Sequence, residues 1–192
     1  MTTKSLNIIG DDGAGKKTLG GCLIHKCGLQ LPRLEELERS GVSQFREITS
    51  FYDNKGYAKS FHGPTGQYVI QNSPVCDVAF WVVDASEPNN WATSAQKLES
   101  LLSSDALRPT EKLFILVNKM DLVDWSEQTF KNILEVFNAR SITNNRAYIL
   151  PISSLKGENM LESPEACSWI THASKSQQSQ LNVSEQPLLH LL

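Results

Sequence analysis

Apolar residues fall along this chain in short continuous runs rather than in strict alternation with polar ones. Leu6-Asn7-Ile8-Ile9 is the first run, ended by a glycine-bearing loop. Tyr68-Val69-Ile70, Val78-Ala79-Phe80-Trp81-Val82-Val83, Leu113-Phe114-Ile115-Leu116-Val117 and Ala147-Tyr148-Ile149-Leu150-Pro151-Ile152 follow. Runs of this length read as strands buried on both faces. Between them the period changes to that of a helix. Leu19, Cys22 and Leu23 repeat at helical spacing from Thr18 to Cys27, with Lys26 at a snorkelling edge and Gly28 as C-cap. Similar patterns lie near 91–105 and 126–140, and Leu34 and Leu37 mark a short surface helix. Strands alternating with helices predict an α/β fold, a mostly parallel sheet with helices on both faces.

The remaining stretches read differently. Residues 41–67 are polar and irregular, with Gly56, Gly63, Pro64 and Gly66 marking turns. Residues 171–186, rich in Ser and Gln, read as a linker or loop, and residues 187–192 as the beginning of a helix cut short by the chain end. The layout expected is therefore one domain over 1–170, a polar linker over 171–186, and the start of a last helix over 187–192.

Composition narrows the class of partner. The 192 residues carry a formal net charge of -3, with 40% hydrophobic and 20% charged residues, as in an ordinary globular domain. No clustered Lys and Arg patch predicts contact with a nucleic-acid backbone. No apolar run reaches the roughly 20 residues that span a bilayer, and the start lacks the apolar stretch of a signal peptide. The four cysteines, Cys22, Cys27, Cys76 and Cys167, show no CxxC pairing and sit in apolar segments. Buried free thiols in a cytoplasmic protein are the expectation.

Candidate chemistry begins at Gly10-Asp11-Asp12-Gly13-Ala14-Gly15-Lys16, which follows the first strand and precedes the first helix. In that context GxxxxGK is a phosphate cradle. Its glycines let the amides of Gly10, Asp12, Gly13, Ala14 and Gly15 turn inward, the helix N-terminus adds partial positive charge, and Lys16 adds a full one. The next position should carry a hydroxyl to ligate magnesium. It is Lys17, with Thr18 one place late, and about 100° of helix rotation prevents a simple exchange. Either the Lys17 ammonium replaces the metal as countercharge to the phosphates or it points to solvent. Both readings predict weak Mg2+ dependence.

Two further elements fit a purine. Asn118-Lys119-Met120-Asp121 follows a buried strand, where ligands of parallel sheets gather. Asp121 can accept the ring N–H and exocyclic amine of guanine, Asn118 can tie this loop to the phosphate loop, and the Lys119 stem can lie across the base. Ser153-Ser154-Leu155, after the last strand, can place a backbone N–H on the guanine carbonyl oxygen. The combination makes a P-loop GTPase-like G domain the expected fold and GTP or GDP the expected ligand.

With these residues in view, the sequence resembles the G domain of translational GTPases, the branch of elongation factor 1-alpha and its ribosome-rescue and termination relatives. The stretches that carry the resemblance are Asn7-Ile8-Ile9-Gly10 with Gly15-Lys16, Leu23-Ile24-His25-Lys26-Cys27-Gly28, Val117 to Asp121 with Trp125 and Phe130, and Pro151-Ile152-Ser153 with Gly157-Glu158-Asn159-Met160-Leu161. The resemblance implies a translation or RNA-surveillance setting, with the ribosome as a partner. It also implies two β-barrel domains, for which these 192 residues leave no room.

Departures from that family are specific. Arg46-Glu47-Ile48-Thr49 resembles the first switch, making Thr49 the candidate for its threonine. The family's Asp-x-Pro-Gly-His is replaced by Asn72-Ser73-Pro74 running directly into Val75-Cys76-Asp77, so the second switch helix is expected to be missing. None of His25, His62, His172 and His190 is placed to orient a water. Three functions follow: a hydrolysis-deficient nucleotide-binding module, a working translational GTPase completed by the ribosome, or a scaffold that keeps the fold without the ligand.

Overall fold

The computed structural model describes residues 2–140, 142, 146–173 and 181–192. Its centre is a seven-stranded sheet in the order β2-β3-β1-β4-β5-β6-β7. The strands are β1 (Thr2–Gly10), β2 (Ser60–Gly63), β3 (Gly66–Ile70), β4 (Val75–Asp84), β5 (Arg108–Asn118), β6 (Ala147–Pro151) and β7 (Asn182–Val183). Among these strands of the described residues, only the β2–β3 pair is antiparallel. The helices are α1 (Lys16–Cys27), α2 (Leu31–Arg39), α3 (Phe45–Lys55), α4 (Trp91–Ser103), α5 (Glu127–Asn138) and the short α6 (Ile170–Ala173).

Alternation within the central strands divides their side chains between two cores. Ala79, Trp81 and Val83 of β4 and Leu113, Ile115 and Val117 of β5 pack with α4 and α5 on one face. Val78, Phe80, Val82, Phe114 and Leu116 point to the other, against Leu19, Cys22 and Leu23 of α1. Both faces are covered, which is why these strands read as continuous apolar runs.

Two segments differ from the reading of the sequence. Residues 41–67 are not irregular throughout, because α3 and β2 lie within them. Phe45, Ile48, Phe51 and Tyr52 form an apolar stripe that, with Leu37 and Ile24, makes a third small core. The Glu47 carboxylate accepts the Ser43 and Gln44 amides at 3.0 Å each, which starts α3 and holds this carboxyl below its usual range. Contact with α1 requires Gly21, where a Cβ would sit 1.8 Å from the Phe45 carbonyl oxygen.

The second difference is in the tail. Of residues 171–186, positions 174–180 lie outside the described residues, while Asn182–Val183 adds β7 beside β6. Residues 188–191 form a 3-10 turn rather than the first turn of an α-helix. Leu188, Leu189 and Leu192 are buried in the α1-side core. The Leu192 carbonyl accepts Tyr68 Oη at 2.7 Å and Thr65 Oγ1 at 3.0 Å.

Candidate functional site

The site forms where β1, β5 and β6 end and α1 begins. Gly10 and Gly15 both take positive φ, at 142° and 102°. A Cβ on Gly10 would lie 2.2 Å from the Val82 carbonyl oxygen, and one on Gly15 would lie 2.3 Å from Asn118 Nδ2. These positions need glycine for space and for backbone angle together. Gly13, also at positive φ, meets nothing within 4 Å and leaves the loop open on that side. Lys16 Nζ arches over the loop, donating to the carbonyls of Gly10 at 2.8 Å and Asp11 at 2.6 Å. The Asp12 carboxylate stands 3.8 Å from that ammonium and is fully exposed.

Asn118 is the knot. It is 1% exposed. Its Nδ2 donates to the Ala14 carbonyl at 2.7 Å, and its Oδ1 accepts the Ser154 amide at 2.9 Å. One buried side chain thereby joins the phosphate loop, the end of β5 and the loop after β6, with each polar atom satisfied. Met120 continues the stitching, its amide donating to the Ile152 carbonyl at 3.2 Å.

Around this knot lies a cavity of about 250 Å³ lined by Gly13, Gly15, Thr18, Asn118, Lys119, Asp121, Leu122, Ser154 and Leu155. Most of the candidate residues are brought together here. Ser153 is not among the lining: it is fully buried, its backbone bridged to Glu158 and its hydroxyl accepting the Lys156 amide at 3.3 Å. Leu155 is 65% exposed and Leu122 62%, so two apolar lips flank the opening.

A second cavity of about 510 Å³ opens on the opposite flank of the loop, lined by Gly10, Lys16, Lys17, Thr49, Asp53, Asn72 and apolar residues of β1 and β4 among others. Lys17 and Thr18 therefore face different cavities, as the rotation of the helix requires. β3 is joined to β4 by residues 71–74 alone. Thr49 sits on α3 with its hydroxyl donating to the Arg46 carbonyl at 3.1 Å. The Asp53 carboxylate is held by Lys59 at 2.6 Å, and that of Asp11 by Lys97 at 3.1 Å. None of the described histidine side chains lines this cavity: His25 packs beside Phe45, His62 is on β2 rather than in a loop, and His190 is exposed. The side chain of His172 lies outside the described residues.

One residue near the base-side cavity escaped the reading of the sequence. Asp84, the last residue of β4, bonds Lys119 Nζ through its carboxylate at 2.5 Å. An acid at the end of a buried strand was the available signal.

Comparison with known proteins decides the family. The family described as Arf, the ADP-ribosylation factor family, matches residues 71–173, just over half of the chain. The chain belongs to this family. Its G domain is also related to those of translation-factor GTPases. Elongation factor 1-alpha of Natronomonas pharaonis is 26% identical over 197 residues, covering 86% of this chain and 46% of that protein. Sulfate adenylyltransferase subunit 1 of Saccharophagus degradans is 32% identical over 101 residues, covering 52% of this chain and 20% of that protein. Among solved structures, the S. cerevisiae Ski7 GTPase-like domain bound to GDP and inorganic phosphate superposes with a TM-score of 0.62 at 20% identity, covering 85% of this chain and 46% of that one. The chain spans less than half the length of each of these relatives.

Proposed function

We propose that this G domain binds GTP or GDP and serves as a ligand-stabilised interaction module that hydrolyses little or no GTP. The observation that carries the reading is the Asn118 knot, which holds the phosphate loop and two base-side loops around one cavity. In this reading the amides from Gly10 to Thr18 and the Lys16 ammonium hold the phosphates, with Asp12 contributing backbone rather than its carboxylate. Asp121 accepts the two guanine donors, and the Ser154–Leu155 backbone meets the guanine oxygen. Two structures of the related Ski7 GTPase-like domain hold GDP with inorganic phosphate and GTP, which supports this reading.

Magnesium does not fit the residues present. The second cavity offers Lys17 where a hydroxyl is needed and the amide of Asn72 where a carboxylate is needed. Its Asp53 carboxylate is already paired with Lys59, and the Thr49 hydroxyl is bonded within its own helix. Phosphoryl transfer needs metal, a positioned water and charge stabilisation together, so no hydrolytic step is assigned. A translation or RNA-surveillance partner in the cytoplasm goes with this function, given the sequence relatives.

Asp121→Asn tests the base reading. It should weaken GDP binding by about 100-fold or more, because a buried donor–acceptor mismatch replaces two hydrogen bonds, and should gain affinity for xanthosine diphosphate. Equal, undetectable binding of every nucleotide by the parent protein would favour the scaffold. Ribosome-stimulated phosphate release would favour a working GTPase.

A further inference from the structure

The Lys119–Asp84 pair links the base-side cavity to an element that does not line it. Lys119 adopts a left-handed backbone, φ 64°, unusual for a residue with a long side chain. Its side chain is 31% exposed and lines the cavity beside Asn118 and Asp121, while Asp84 is 12% exposed. Partial burial of both charges makes this pair less screened than a surface one.

Asp84 is itself fixed from three directions. It pairs in register with Asn118 across β4 and β5, and the following Ala85 amide donates to the Asn118 carbonyl at 2.9 Å. Its Oδ1 accepts the Ser86 amide at 2.9 Å and the Ser86 hydroxyl at 2.6 Å. Its own carbonyl accepts Trp91 Nε1 at 2.9 Å. One carboxylate oxygen is thus committed to the turn after β4, which leaves Oδ2 aimed at Lys119.

We propose that Asp84 is a positioning residue for guanine recognition, pinning the Lys119 ammonium so that the lysine stem forms a fixed wall of the base cavity. The proposal rests on the guanine-nucleotide reading of the site. With the ammonium engaged, Lys119 offers a ligand its methylene stem rather than its charge. Releasing it restores rotamer freedom that must be lost again on binding. Asp84 acts through Lys119 and does not touch the ligand. Its bonds to Ser86 are a separate, structural task.

Asp84→Asn separates the two tasks, since the amide oxygen can still accept from Ser86 while the charge facing Lys119 is gone. Fluorescent GDP titration of the whole chain would compare the parent, Asp84→Asn, Lys119→Ala and the double variant. Asp84→Asn should weaken GDP binding by about 3- to 10-fold, the cost of immobilising one long side chain. The double variant should bind no worse than Lys119→Ala alone. Lys119→Met, which keeps an apolar stem but has nothing to pin, should lose as much as Asp84→Asn and stands in for it if that variant does not fold. Unchanged affinity in Asp84→Asn or Lys119→Met would overturn the proposal. So would an additional Asp84→Asn loss in the Lys119→Ala background, because a structural effect persists without Lys119. A parent protein that binds no GDP would overturn the guanine reading as well. A parent that binds GDP with an indifferent Asp84 overturns this proposal alone.

Discussion

The two flanks of the phosphate loop are built on different foundations. On the base side, Asn118, Asp121 and Ser154 stand at or just beyond the ends of β6 and of β5, whose residues from Leu113 to Val117 are fully buried. On the other side, Lys17, Thr49 and Asn72 come from the exposed first turn of α1, a separate helix and a four-residue connection. The first flank cannot lose its parts without disturbing the core. The second can lose a whole helix while the sheet stays closed, since β1 still pairs with both β3 and β4. Base reading and hydrolysis are therefore separable in this architecture, and under the proposed function this chain keeps the half that the core supports.

The most severe way to break the contrast is at the seam. Gly15→Ala would drive a methyl to 2.3 Å from Asn118 Nδ2 at a backbone angle of φ 102°. Both the knot and the loop should fail together. Nucleotide affinity should fall more than tenfold and stability by about 1–3 kcal/mol, read by titration and by denaturant unfolding. An unchanged affinity would mean that the Asn118 bonds do not organise the loop.

Gly21→Ala probes the other foundation. The added methyl meets the Phe45 carbonyl, so α3 must move away from α1. Stability should fall by about 1–3 kcal/mol. Discrimination between GDP and xanthosine diphosphate should stay within about twofold, because α3 lines the second cavity and not the base-side one, and distant sites behave independently. Loss of discrimination would show that the flanks are coupled.

The smallest effect expected concerns the thiols. Burial pushes Cys22 up to about 11 and Cys167 up to about 12, and raises Cys76 as well. The thiolate is the reactive form, so these three should resist a thiol reagent at pH 8 in the folded protein. Cys27 is only half-buried and should label first. Rapid labelling of Cys22 would mean that α1 opens readily beside the loop.

Much of this was readable from residue order alone. The phosphate loop lies between a strand and a helix, and Asn118 to Asp121 follows a run that only a doubly covered strand would carry. The missing switch helix was equally legible, since Asn72-Ser73-Pro74 leaves too few residues for one. What escaped was held by contacts distant in sequence. The stripe of Phe45, Ile48, Phe51 and Tyr52 was masked by Thr49, Asp53 and the nearby glycines, and its partner surface on α1 is visible only when folded. β7 has two residues, too few for a period. The tail leucines carry a helical pattern, and local pattern does not reveal that Tyr68 and Thr65 donate to the Leu192 carbonyl. Asp84 looked like a strand end until its partner, 35 positions away, was in place.

Under the proposed function the base side is intact while the metal and hydrolysis side is not. Fluorescent GDP and GTP titrations with Mg2+ or with a chelator, followed by single-turnover phosphate release, test this most directly, with Lys16→Ala as the control. Saturable binding of both nucleotides is expected, changing less than about threefold on chelation and lost in Lys16→Ala, with phosphate release at background. Binding that collapses on chelation, or GTP turnover that needs added Mg2+, would contradict it.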